Sequence, residues 1–376
     1  MATISDLPRD LLGEILSRVS LTSQSLARST CKTWNDWLKN QVLFGQKARK
    51  DQFLEFMVVD HSVCLLRFDL QGILNDDDEL GAGSFMKKIS IPNFEVKISQ
   101  IFHSNGLLLC VLKDDYTNTK LLVWNPYLGQ TRLIQTRRDV SASYAFGYDN
   151  QGNHKILKIF NEYKGFEIYD FISDSWRVVV DVNLPYYKPL LYHTGLPLKG
   201  NSYFPREGNK ELTNFTNNLV CFDFTTERFG QCLPLPYTLE PHSVDLFWVT
   251  DEKLATAVLH RLQGTLEIWI TTKIEPNAVS WSSILTLDMR LINGLPYNFL
   301  AYPRSFFIDE ENKVAVFIDR ILKTRPYQIA YIIGKDGYVR SVNINRPRSD
   351  HWDRGLLVCS YVPSLVQLQN QPTGRN

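Results

Sequence analysis

Long apolar runs are absent from this chain. No stretch approaches the roughly eighteen apolar residues of a membrane helix, so no membrane partner is expected. Asp6 and Arg9 interrupt any apolar run before a leader could form, and no signal peptide is expected. Cysteine is sparse. Cys31, Cys64, Cys110, Cys221, Cys232 and Cys359 are scattered and form no C-x-x-C pair. Four of them, Cys64, Cys110, Cys221 and Cys359, sit in apolar runs and read as small core residues. A reduced, intracellular protein of the cytoplasm or nucleus is expected. Charge of one sign is also missing. A net charge of +1 argues against nucleic-acid binding over the whole surface. Catalytic signatures are missing too: G-x-S-x-G, H-E-x-x-H and the phosphate loop do not occur. The seven histidines share no metal-ligand spacing, and most of them read as surface or loop residues. No cofactor and no metal are expected.

The first forty-odd residues carry the clearest helical pattern. Leu7, Leu11, Leu12, Ile15, Leu16 and Val19 recur at helical steps and form one broad apolar stripe. Pro8 has no N–H and a preset φ, which suits a first turn. Asp10 and Glu14 sit early, where the macrodipole favours negative charge. Ser20 to Ser25 are hydroxyl-rich and read as a break, with Thr22 or Ser23 capping a second helix. That helix presents Leu26, Ala27, Thr30, Cys31, Trp34 and Leu38 on one side. Two short helices cannot bury so many apolar side chains alone. The stripe packs either on the rest of the chain or on a partner.

From Phe53 on, β-branched and aromatic runs alternate with turn residues. A repeated hairpin emerges: apolar strand, aromatic, Asn or Asp, polar turn, second strand. It occurs at Leu121–Ile134, Phe166–Val179, Leu219–Phe229, Leu266–Trp281 and Ala330–Arg340. The aromatics Trp124, Tyr169, Phe222 and Trp269 return at intervals of about 45 to 60 residues and read as core between sheets. Further hairpins lie between, at Tyr144–Ile159, Asp245–Val258 and Ser305–Phe317. Two hairpins make a four-stranded propeller blade, and the length allows about six. Cys64–Phe68 reads as part of an incomplete or closing blade, and Gln71 to Ser90 as a linker. A β-sandwich is the structural alternative.

Asp149, Asp170, Asp223 and Asp309 recur near strand ends. Propellers can carry paired catalytic carboxylates, but these positions suit turn formers. A ligand-binding aromatic group belongs on loops. Tyr186, Tyr187, Tyr192 and His193, set among prolines, are the candidates for a client surface.

Residue identities narrow the reading. Leu7-Pro8, Ile15-Leu16, Cys31-Lys32-x-Trp34-Asn35 and Phe44 together resemble the F-box, by which substrate receptors join the Skp-type adaptor of SCF (cullin–RING) ubiquitin ligases. The pattern departs at Ser20, where Pro is usual, and at Gln24, where an apolar residue is usual. Val123 to Arg132, Ala145 to Asp149, Tyr169 to Arg177 and Tyr361 to Leu365 resemble the F-box-associated, kelch-like domain of plant F-box proteins. True kelch repeats carry a double glycine in each blade, which is lacking here. The resemblance implies an α+β chain in segregated domains. These are a helical F-box over 1–48, a connecting or first β segment over 49–94 and a propeller-like domain over 95–370. It implies a non-catalytic receptor. Leu7, Pro8, Leu11, Leu12, Ile15, Leu16, Val19, Cys31, Lys32 and Trp34 would touch the adaptor and, through it, cullin and RING subunits. The β-body would hold a client. Rival readings are a propeller scaffold capped by its helices, and a carbohydrate-binding or hydrolytic propeller.

Overall fold

The run Leu107–Leu112 is buried at every residue, and Lys120–Asn125 at every residue after the first. A strand with one wet face alternates apolar and polar, whereas a strand covered on both faces does not. In a computed structural model of the chain, these two strands form the middle of a four-stranded antiparallel sheet with cores on both faces. The structure describes residues 52–59, 61–69, 84–112, 120–136, 142–160, 165–179, 195–206, 218–236, 245–250, 253–260, 263–290, 306–310, 312–318, 328–335, 337–344, 358–361 and 364–368.

Among the described residues, six four-stranded antiparallel sheets make up the body. β1 (Gln52–Val59), β2 (Ser62–Asp69) and β3 (Ser84–Lys88) belong to the first. The second is β4 (Ile98–Ser104), β5 (Leu107–Leu112), β6 (Lys120–Asn125) and β7 (Gln130–Gln135). The third is β8 (Ser143–Tyr148), β9 (His154–Ile159), β10 (Phe166–Asp170) and β11 (Ser175–Val179). The fourth is β12 (Leu196–Leu198), β13 (Asn201–Arg206), β14 (Asn218–Asp223) and β15 (Arg228–Pro234). The fifth is β16 (Asp245–Thr250), β17 (Lys253–His260), β18 (Thr265–Glu275) and β19 (Ala278–Asp288). The sixth is β20 (Phe306–Asp309), β21 (Val314–Ile318), β22 (Gln328–Gly334) and β23 (Val339–Ile344). β24 (Val358–Ser360) then pairs beside β1 and completes the first sheet, with Phe56 opposite Cys359.

Separate apolar cores fill the seams between consecutive sheets. Phe56, Leu65, Leu108 and Trp124 lie between the first and second, and Leu109, Val123, Phe146 and Tyr169 between the second and third. Phe166, Phe204 and Phe222 lie between the third and fourth, Tyr203 and Val258 between the fourth and fifth, and Leu266 and Phe317 between the fifth and sixth. The inner strands β4, β8, β12 and β16 neighbour one another, and β23 lies against β3. The body is therefore an all-β propeller. A sandwich would give each sheet one packed face, whereas the second to fifth sheets have two.

One reading from the sequence needs correction. Gln71 to Ser90, read as a linker, contains β3, which pairs with β2 from Cys64 opposite Lys88 to Phe68 opposite Ser84. Two of the seven histidines, His103 in β4 and His154 in β9, are buried. The repeated hairpins stand as the outer pairs β6–β7, β10–β11, β14–β15, β18–β19 and β22–β23. Trp124, Tyr169 and Phe222 are buried in the seams, and Trp269 is half-buried against the core between the fourth and fifth sheets. Residues 1–48 lie outside the described residues, so the helical module is not part of this description.

Candidate interaction surfaces

Antiparallel order gives the ring two unlike ends. In the second to sixth sheets, the first and second strands join at one end, as do the third and fourth. The connections there are short: 105–106, 126–129, 149–153, 171–174, 199–200 and 224–227 are examples. Glu55, near the start of β1, pairs with Ser360, the last residue of β24, so both begin or finish at this end. The end of β2 and the start of β3, joined through 70–83, lie at this end too. The remaining connections leave the sheets at the opposite end and include 113–119, 136–142, 180–195, 207–217, 289–305 and 345–357. Connecting segments carry recognition more freely than sheets do, because they vary on a fixed scaffold. The proposed client residues Tyr186, Tyr187, Tyr192 and His193 fall between β11 and β12, outside the described residues. The ten proposed adaptor residues, from Leu7 to Trp34, lie outside them too.

The short-turn end is built by one repeated device. The last residue of the third strand is Asn125, Asp170 or Asp223. Its side-chain oxygen accepts backbone N–H groups two and three residues on. Asn125 accepts from Tyr127 and Leu128, Asp170 from Ile172 and Ser173, and Asp223 from Thr225 and Thr226. Asp149 accepts from Gln151 and Asn153, and Asp309 from Asn312. These are side-chain-capped turns. All four aspartates singled out in the sequence therefore spend their oxygens on their own turns.

A polar lattice joins the sheets at the same end. Arg132 on β7 is buried and reaches the third sheet, donating to Asp174 at 2.7 Å, to the Tyr169 hydroxyl at 3.1 Å and to the Phe171 carbonyl at 3.4 Å. The Tyr169 hydroxyl donates to Asp174. That bond, helped by Arg132, outweighs partial burial and holds the Asp174 carboxyl below the usual range. Lys155 on β9 reaches the fourth sheet, donating to Glu227 at 2.9 Å and to the Phe224 carbonyl at 3.1 Å. Arg177 also donates to Glu227. Burial alone would raise the Glu227 carboxyl, but Arg177 and Lys155 together pull it down. Burial would likewise raise Asp149, but hydrogen bonds from Asn153 and Gln151 and the charge of Lys155 lower it. A general acid at neutral pH needs a carboxyl raised toward 7. These three move the other way; Asp174 and Glu227 hold neighbouring sheets together, and Asp149 caps its own turn. Among the described residues, no group of three His, Cys, Asp or Glu side chains could hold a metal ion.

Indoles complete the seams. Trp176 on β11 donates to the Gln135 carbonyl at the end of β7, and Trp281 on β19 to the Pro234 carbonyl at the end of β15. Both reach back to the last residue of the preceding sheet. Neither these hooks nor Arg132 and Lys155 had a role in the sequence reading. The repeat of Trp176 and Trp281 in the fourth strand was the visible signal; the ion pairs left none, because their partners are remote in sequence.

Residues 54–368 match the model of the F-box associated beta propeller domain, and residues 4–44 match that of the F-box domain. F-box protein At3g49510 of Arabidopsis thaliana is 50% identical over 98% of this chain and 100% of its own length. F-box/kelch-repeat protein At3g13680 of the same plant is 46% identical over 100% of this chain and 99% of its own. F-box protein At1g54550, again of Arabidopsis thaliana, is 46% identical over 98% of this chain and 100% of its own.

Proposed function

The chain belongs to the F-box-associated beta propeller family, with an F-box ahead of the propeller, and from this we propose that it is the substrate-recognition subunit of an SCF-type ubiquitin ligase. One observation carries the reading: a docking module and a recognition scaffold stand in a single chain, matched at 4–44 and 54–368. In this reading Leu7, Pro8, Leu11, Leu12, Ile15, Leu16, Val19, Cys31, Lys32 and Trp34 bind a Skp-type adaptor, which brings the cullin and RING subunits. The receptor does no bond chemistry. It holds a client protein near the ubiquitin-loaded enzyme, and the rate gain is one of proximity. The kelch-like character of the blades and a place in the cytoplasm or nucleus belong to the same proposal.

The ring's two ends support a division of labour. β1 starts at the short-turn end, so the chain from the F-box joins the propeller there. Most of the longer connections leave from the other end, where a client can approach without meeting the adaptor.

Leu16 tests the docking half. A charge buried at an apolar anchor costs more than a truncation, and truncation of a central anchor costs about 2 kcal/mol or more, roughly thirtyfold in affinity. Leu16→Asp is expected to abolish co-elution of the full chain with an adaptor–cullin–RING assembly. Unchanged co-elution, with the β-sheet circular dichroism of the unmodified protein, would favour a scaffold whose helices only cap the fold.

A further inference from the structure

After β24, Tyr361 and Leu368 enter the cores on opposite faces of the second sheet. Tyr361 is buried in the core between the first and second sheets, its ring edge-on to Phe56 at 4.9 Å and 5.4 Å from His103. Leu368 is buried in the next core, between the second and third sheets. Between these anchors, Ser364 to Val366 pass along the short-turn end of the second sheet. A Cβ at Gly106 would lie 2.1 Å from the Ser364 Cβ, so the β4–β5 turn has no room for one. On the outer turn, the Asn125 Nδ2 donates to the Ser364 carbonyl at 3.1 Å and to the Val366 carbonyl at 2.7 Å. Gln130 Oε1 accepts the Leu368 N–H at 3.0 Å.

Asn125 thus works on both sides. Its Oδ1 caps its own turn, as the carboxylates of Asp170 and Asp223 cap theirs. Only the asparagine has a donor to spare, and only at its turn does the strap pass. A carboxylate would cap equally well but would set a charged oxygen against two carbonyl oxygens.

We infer that Tyr361 and Ser364–Leu368 act as a releasable clasp, keyed by the Asn125 amide, that pins β24 into the first sheet and ties the first three blades together. Its release opens the ring at the first sheet while the fourth and fifth sheets stay folded. β24 is three residues long and pairs with β1 at only three positions, so a second hold is needed to keep it in place. The clasp lies at the end where β1 begins, so ring closure and the join to the F-box are controlled at one place.

Hydrogen exchange on the full chain tests this. Asn125→Asp keeps the turn cap and removes the strap's donor. Exchange in β24, β1 and 364–368 should quicken by about tenfold or more, because losing a hydrogen bond and gaining repulsion amounts to more than one decade. Exchange in β14 and β18 should not change. A chain ending at Ser364 keeps β24 and leaves Asn125 untouched, and it should show the same local opening. Unchanged exchange near β24 in both variants would overturn the clasp. So would uniform acceleration through all six sheets, or a shortened chain that cannot fold, since the tail would then be an inseparable part of the fold.

Discussion

His154 shows what one buried side chain does to the whole. It sits among Phe146, Tyr148 and Phe171, and its Nε2 donates to the Ser104 carbonyl at 3.3 Å. Burial depresses its pKa from 6.5 to about 4. The unfolded chain therefore binds a proton between those values that the folded chain refuses. Stability from this group is full above the unfolded value and falls as pH drops from 6.5 toward 4, by up to about 3 kcal/mol. His154→Gln keeps a donor for Ser104 and cannot charge. Its unfolding free energy should be flatter than that of the unmodified chain between pH 6.5 and 4; parallel profiles would contradict the assignment. The carboxylates act lower. Asp149, Asp174 and Glu227 are depressed, so their contribution holds above the usual carboxylate range and fades below about pH 4. Residues of this kind were hard to read in advance. Lys158 stands in the strand His154–Ile159, where a charge suggests a wet face, yet it is fully buried, 3.6 Å from Glu167. Nothing local announces that a neighbouring sheet covers the strand.

At the scale of the element, the sequence was far more legible. The middle strands β5 and β6 are buried almost throughout because both faces are covered, and the outer strand β11 is exposed or half-exposed throughout because it is an edge. The Asn or Asp closing β6, β10 and β14 marks the turn, and the structure gives each one backbone N–H partners. Asp223 illustrates the energetics. Asp223→Ala removes the acceptor for Thr225 and Thr226 and should lower stability by about 1 kcal/mol, whereas Asp223→Asn keeps the acceptor and should cost little. Denaturant midpoints of the two variants measure the difference, and equal losses would mean that charge, not capping, is what counts. β3 and β12 escaped notice for a physical reason. Ser84–Lys88 carries two lysines and Leu196–Leu198 spans three residues around a proline, so neither has the composition of a strand. Their pairing comes from the neighbours β2 and β13, not from local preference.

For the whole molecule, closure is the governing fact. The ring joins its first three strands to its last, so β1, β2, β3 and β24 share one sheet although almost the whole chain lies between them. Repeats along a sequence announce blades; the blade assembled from both ends has no repeat of its own, and the sequence marks only Cys64–Phe68 there as part of an incomplete or closing blade. The same closure sets the two ends of the ring apart. One is short-turned, ion-paired and joined to the F-box. The other carries most of the longer connections. In the proposed function, a receptor that holds an adaptor and a client at once is served by that separation.

The measurement that bears most directly on this account is a titration of the purified full chain with a Skp-type adaptor from a plant, run beside Leu7→Ala/Pro8→Ala. Saturable binding by the unmodified chain, lost in the double variant while the propeller remains folded, is the result predicted. A folded chain that does not bind, or equal binding by both proteins, would contradict it.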